Sequence, residues 1–235
     1  MGLLDYFTTE GKIKRHAARV ANRDSQPEDR DASIRWLSDE GSAKAIVGLL
    51  GRFEMTFSQG LKDVAEKDWV FQLLLAKGDD LEEPLRHHLR TCKQFHPPLR
   101  LLEQLRGANA ATAAAFELLD GERNRSTFYP EKKKNLLVWL AERKHPEAVQ
   151  RGKDFLADFD EEVRYAALEL IANQGTDDGR EPLLAALTRP GEDSNRLKHR
   201  ICEVFAQRGW SVAGADLSGK LPIAYAVQDD RIVAR

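Results

Sequence analysis

Cysteine is almost absent: the 235 residues contain only Cys92 and Cys202. The two lie far apart, form no CxxC unit and cannot set up a disulfide framework, which fits a reducing compartment and leads us to expect a cytoplasmic protein. Aromatic residues are also few, at 8%. With Ala, Leu, Glu, Arg and Lys abundant, that scarcity favours helix over strand. No apolar run approaches the ~20 residues that span a bilayer. Neither sign of charge dominates, since 36 basic residues face 38 acidic ones, for a net charge of -2 and a pI near 6.3. A protein held by phosphate contacts carries a basic excess, so nucleic acid is not the expected partner. GxSxG, GxxxxGKS/T, GxGxxG and HExxH are all missing, so the expectation is no enzyme, no cofactor and no metal site.

What is present is a helical repeat. Hydrophobic residues make up 42% of the chain and charged residues 31%, enough apolar material for a core and too much for disorder. Gly41, Gly78, Gly107, His145 (followed by Pro146), Gly175 and Gly209 each end an apolar-striped segment, at spacings of 37, 29, 38, 30 and 34 residues. Within those segments the apolar residues fall at three- and four-residue steps, as one face of a helix requires. Examples are Ile34 and Leu37; Val70, Leu73 and Leu74; Leu136, Leu137 and Leu140; and Leu197, Ile201, Val204 and Phe205. After each anchor but the last comes a second helix: Ala43 to Leu50, Leu81 to Leu89, Ala110 to Leu119, Glu147 to Leu156 and Gly179 to Leu187. Ser25-Gln26-Pro27-Glu28 and Asp178-Gly179-Arg180-Glu181 read as capping boxes. Pro98, Pro130 and Pro182 stand near first turns, where a missing N–H costs nothing.

A single hairpin of this kind cannot cover its own apolar stripe, and stacking on a neighbour does. The chain therefore reads as all-α, an α-α superhelix of about five to six helical hairpins over residues 25–210. Residues 1–24 supply an N-terminal segment and a capping helix from about Gly11 to Asn22, with Ile13, Ala17 and Val20 facing inward. Residues 211–235 break the pattern. Leu221 to Val227 alternates large and small side chains, Gln228 to Arg231 looks like a turn, and Ile232-Val233 can pair back, so a short β-hairpin or extended tail is expected there.

Residues 160–187 carry the clearest unit. Asp160, Val163, Arg164, Ala166, Ala167 and Leu170 in its first helix, and Leu183, Leu184 and Leu187 in its second, resemble the HEAT family of repeats, in particular the short HEAT-like form of many bacterial proteins, an armadillo-like architecture. The unit from Asp193 to Phe205 is similar, and earlier units match by period and pattern. The resemblance implies a solenoid whose second helices line a concave face, and a scaffold or adaptor that binds a protein partner there. It also brings enzyme precedents, bilin lyases of phycobiliproteins and DNA glycosylases of alkylated bases; the latter would need a Trp and an Asp converging in a basic groove.

The candidate binding residues follow from that face. Arg86, His87, Arg90 and Lys93 form a basic stripe on a second-type helix, with Glu82 and Glu83 one turn earlier as neutralising neighbours. Phe53, Met55 and Phe57 fall in the connection at 51–60, where they either plug the stack or present a binding knob. His88, Cys92 and His96 lie at i, i+4 and i+8, but Pro97-Pro98 ends the helix before His96 can join the other two. Lys132-Lys133-Lys134 and Arg196, Lys198 and Arg200 read as solvated outer faces. Trp36, Trp69, Trp139 and Trp210 read as packing between layers rather than stacking platforms. His199 and Cys202 sit one helical turn apart inside an apolar stripe, and a structural role is expected. The start, Met1 to Phe7, is too short and too quickly acidic for a secretory signal. Position six holds Tyr6 where the myristoylation motif wants Ser or Thr. Leu3, Leu4, Tyr6 and Phe7 form a second docking candidate, and with Lys12, Lys14, Arg15 and Arg19 they suggest peripheral membrane contact. A monomer is expected.

Overall fold

A computed structural model describes residues 8–57, 60–123 and 130–235. Among these residues it is mostly helix, ending in one antiparallel hairpin. The α-helices are α1 (Thr9–Ala21), α2 (Pro27–Glu40), α3 (Ala43–Leu50), α4 (Gly60–Leu75), α5 (Glu82–Thr91), α6 (His96–Arg106), α7 (Ala108–Glu122), α8 (Glu131–Ala141), α9 (Ala148–Gly152), α10 (Glu161–Gln174), α11 (Arg180–Thr188) and α12 (Asn195–Arg208). Short 3₁₀ helices occupy Gly51–Glu54, Gly78–Leu81, Lys153–Ala157 and Asp177–Gly179. The strands are β1 (Tyr225–Gln228) and β2 (Arg231–Ala234), in antiparallel register from Tyr225 opposite Ala234 to Gln228 opposite Arg231.

The residues that stop the helices are those the punctuation marks. Gly41, Gly175 and Gly209 cap α2, α10 and α12 in the left-handed conformation, which only glycine reaches without steric cost; Gly78 and Gly107 also have positive φ, Gly107 in a more extended conformation at the end of α6. The starts differ from expectation. Pro27 takes the first helical position of α2, so the cap falls on Gln26, which makes no side-chain cap bond. Ser25 lies one residue too early; its carbonyl instead accepts from Arg30 Nη1 at 2.9 Å. Likewise Asp178 caps nothing with its side chain, because 177–179 already turn as a 3₁₀ helix that leads into α11. Asp160 does cap α10, accepting from the Val163 N–H at 3.1 Å.

The chain divides into two compact units, residues 1–114 and 115–235, with the boundary inside α7. The sequence pattern places no break there. In the first unit α1 packs on α2 and α3, α2 on α4, α4 on α6, and α3 on α5. Ile34, Leu37, Ile46, Leu49, Leu74, Leu85 and Leu99 are fully buried between them. In the second unit α8 packs broadly on α10, α10 on α12, and the 153–157 turn on both α10 and α11. Val163, Ala167, Leu170, Leu183, Leu187, Leu197, Ile201 and Phe205 form its core. The hairpin lies on α12 through β2, burying Ile232. Of the alternating run Leu221 to Val227, Tyr225 to Val227 form strand; Gln228 and Arg231, expected in the turn, pair with each other at the end of the ladder and leave Asp229 and Asp230 as the turn.

Two buried arginines wire first-type helices to their neighbours. Arg164, 8% exposed, gives Nη1 to the carbonyls of Asp158 and Phe159 and Nη2 to Glu192 at 3.1 Å. Arg30, at the same position along α2, gives Nη1 to Ser25 and Nε to Glu66 of α4. Arg52 is fully buried and meets Asp63 at 2.7 Å, Glu66 and the Met55 carbonyl.

Candidate functional site

Two features of the first unit stand apart from its packing. The first is a groove of about 620 Å³ walled by α1, α3 and α5. Its floor is made of small and aliphatic residues, among them Ile13, Ala17, Ala21, Ala43, Val47, Gly48, Gly51 and Pro84. Gly48 permits the close crossing of α1 over α3, since a Cβ there would sit 3.0 Å from that of Ala17. The rim carries Glu10, Lys14, Lys44, Glu83 and His87. Lys44 Nζ meets Glu10 at 3.0 Å and Lys14 meets it at 3.6 Å, so the rim has both signs and no net pull. Those two lysines hold the exposed Glu10 carboxyl below its usual range.

Of the sequence candidates, His87 belongs to this groove. Arg86 is tied to Glu82 at 3.0 Å, and Glu82 also takes Arg106 at 2.5 Å. Within the basic stripe Arg86 is thus neutralised from its own helix, by a Glu82 that it shares with Arg106. Arg90 and Lys93 are exposed on the far end of α5. Phe53 is 3% exposed and fills the core behind α3, so it presents no knob. Phe57 is half-buried between two guanidinium groups, Arg30 at 4.1 Å and Arg52 at 4.4 Å from its ring centroid. The exposed apolar residues are others: Phe159 stands fully exposed before α10, and Leu61 and Ile223 nearly so. Nothing in their spacing distinguishes them from core positions. Leu3, Leu4, Tyr6 and Phe7 lie outside the described residues. Ile13 and Val20 of α1 are buried against α2 and α3, and the apolar side of α1 that stays open, Ala17 and Ala21, lies in the groove.

The second feature is a cluster at the end of α5. His88 and Cys92 share a face of the helix, as their spacing dictates, and Glu54 of the 51–54 turn joins them; the ligating atoms of the three lie within 4.8 Å of one another. His96 begins α6, exposed, and takes no part. Glu54 was invisible to sequence reasoning because 34 residues separate it from His88 and only the fold brings it there. Burial pushes the Glu54 carboxyl up, but His88 and the backbone N–H groups of Lys93 and Gln94 outweigh it and leave it below the usual range.

The remaining candidates are structural. Lys133 pairs with Asp158 at 2.9 Å, Arg196 with Glu162 at 2.5 Å and Arg200 with Glu169 at 2.6 Å. Trp139 and Trp210 are buried; Trp36 stacks on His16 at 4.4 Å and Trp69 lies beneath Arg35. A Trp and an Asp do meet, Trp210 Nε1 donating to Asp177 at 2.8 Å. That indole is 7% exposed, so the pair closes a turn and reaches no substrate. Burial pushes the Cys202 thiol up to about 12, which makes it a poor nucleophile. No helix among the described residues is long and apolar enough to cross a membrane. Compared with known families, curated proteins and solved structures, the chain shows no match.

Proposed function

We propose that this protein is a non-enzymatic interaction module, a cytoplasmic monomer that seats an amphipathic helix of a protein partner in the groove between α1, α3 and α5. The observation that carries the reading is the floor of that groove. Ala17, Ala21, Ala43, Gly48 and Gly51 project little, so a partner backbone can approach closely and place apolar side chains at i, i+3 and i+4 against Ile13, Val47 and Pro84. The rim of Glu10, Lys14, Lys44 and Glu83 alternates in sign, which suits the mixed polar flanks of such a helix and gives register more than affinity. Nucleic acid is a poor match, because 36 basic residues face 38 acidic ones and Arg86 of the α5 stripe is paired with Glu82.

We also infer the HEAT-like superhelix. Its support is that, within each unit taken alone, α2 packs on α4 and α4 on α6, α8 on α10 and α10 on α12, while α3 packs on α5 and the 153–157 turn on α11. Three α5 residues of the groove, Glu83, Pro84 and His87, lie on a second-type helix, where the resemblance puts the binding face.

A photo-crosslinking residue at Ala43, an exposed groove position, tests the reading in native cells against the same residue at Ala206, an exposed position of α12. Ala43 is expected to yield one discrete adduct that disappears when Ala21→Glu is added and the fold is unchanged by circular dichroism. Matching adducts from both positions, or an adduct indifferent to Ala21→Glu, would count against it.

A further inference from the structure

The cluster of Glu54, His88 and Cys92 has the parts of a metal site. Its donors are a carboxylate oxygen, an imidazole nitrogen and a sulfur, from residues 7% (His88) and 4% (Cys92) exposed and a half-buried Glu54. His88 Nε2 and Glu54 Oε1 are both buried and face each other at 3.3 Å, an ion pair when the ring is protonated, but neither makes an aligned hydrogen bond. Buried polar atoms left so are rare in folded proteins and call for an explanation. Their separation supplies one. Two ligands bonded at ~2.05 Å to a tetrahedral zinc ion lie about 3.3 Å apart. A sulfur at ~2.3 Å would lie about 3.6 Å from each; Cys92 Sγ lies within 4.8 Å of both and would exchange its 3.5 Å bond to the Leu89 carbonyl for the metal.

The surroundings fit as well. Glu54 Oε2 accepts from the Lys93 N–H at 3.0 Å, which aims the other oxygen at His88, as outer-shell bonds do for metal ligands. Cys92 follows the last residue of α5, its backbone N–H bonded to the His88 carbonyl at 2.9 Å, so both donors are fixed by one helical turn. On binding, Cys92 releases its thiol proton to solvent. The divalent charge is then cancelled by one thiolate and one carboxylate, and a neutral site is what a partly buried position tolerates. Thiolate and imidazole select zinc over magnesium or calcium.

We propose that Glu54, His88 and Cys92 bind one zinc-class divalent cation, with a water or a further donor in the fourth position, and that the ion clasps the 51–54 turn to the end of α5. The proposal does not rest on the groove as a docking site.

Titration of the chelator-treated full chain with Co(II), followed by displacement with Zn(II), tests it. One equivalent of cobalt should bind with the intense visible bands of four-coordination and a thiolate-to-cobalt band in the near ultraviolet. Cys92→Ser should abolish that band and Cys202→Ser should keep it. His88→Gln should weaken zinc by more than about 100-fold, since loss even of an outer-shell partner costs 10–100-fold. Should His88→Gln not fold, the wild-type and Cys92→Ser spectra decide. Absence of stoichiometric uptake, a spectrum without the thiolate band, or a band that survives Cys92→Ser would overturn the proposal.

Discussion

Arg164 Nη2 lies 3.1 Å from the carboxylate of Glu192, and both side chains are withdrawn from solvent. The pair joins α10 to the turn before α12, while the same guanidinium holds the Asp158 and Phe159 carbonyls that lead into α10. Removing one member strands the other. Glu192→Ala should therefore cost about 3–5 kcal/mol, and replacing both by apolar residues should recover most of the loss. Chemical denaturation of the two single variants and the double variant checks this; additive losses would show that the pair is not coupled.

Acid should unfold the protein through a few identifiable carboxylates. Burial raises Asp63 and Glu192, but Lys67, Arg52 and the Phe57 N–H at the first, and the Ser194 N–H and Arg164 at the second, outweigh it, so both sit below their ordinary values of 3.8 and 4.5. A folded-state value below the unfolded one gives stability that is present above the unfolded pKa and lost as pH falls through the folded one. Stability should accordingly decline below about pH 4.5. Asp63→Asn should be less stable at neutral pH and show a flatter acid limb; an unchanged limb would contradict the assignment.

His16 contributes in the opposite sense to a salt-bridged histidine. Burial first, then Arg19 and Arg15, lower its pKa from the ordinary 6.5. The unfolded chain thus takes up a proton before the folded one does, and stability falls as pH drops below 6.5 until the folded ring is protonated. His16→Asn should remove that part of the pH dependence in thermal melts between pH 7 and 5, together with the ring stacked on Trp36.

The hairpin turn is strained by its residue types. Asp229 and Asp230 both have positive φ, at 49° and 58°, the geometry of a type I′ turn, for which Asn-Gly is preferred. Asp229→Asn with Asp230→Gly should raise stability by about 0.5–1 kcal/mol, measured as a higher melting temperature. A fall would mean that the aspartates hold the turn through contacts of their own.

The elements were legible where apolar spacing and glycine agree. Ile46, Leu49 and Leu50 with Gly41 before them define α3 to the residue, and Val163 to Ile171 with Gly175 after them define α10. Val163, Arg164 and Leu187 of the same stretch are buried. What could not be read depends on partners distant in sequence. Arg52 looks like a solvated charge in a connection, and it is buried only because α4 brings Asp63 and Glu66 to it. Phe53 could be placed in the core only once the 51–54 turn was known to fold back behind α3. Glu54 had no local signal at all, and the groove arises from Ala17, Ala43 and Pro84 on three helices.

The central claim, that a partner helix occupies the α1–α3–α5 groove, is tested most directly by hydrogen–deuterium exchange of the full chain with and without the partner captured at Ala43. Slower exchange is predicted in Thr9–Ala21, Ala43–Leu50 and Glu82–Thr91, with little change in Arg180–Thr188. Protection confined to the second unit, or none in the three groove helices, would contradict it.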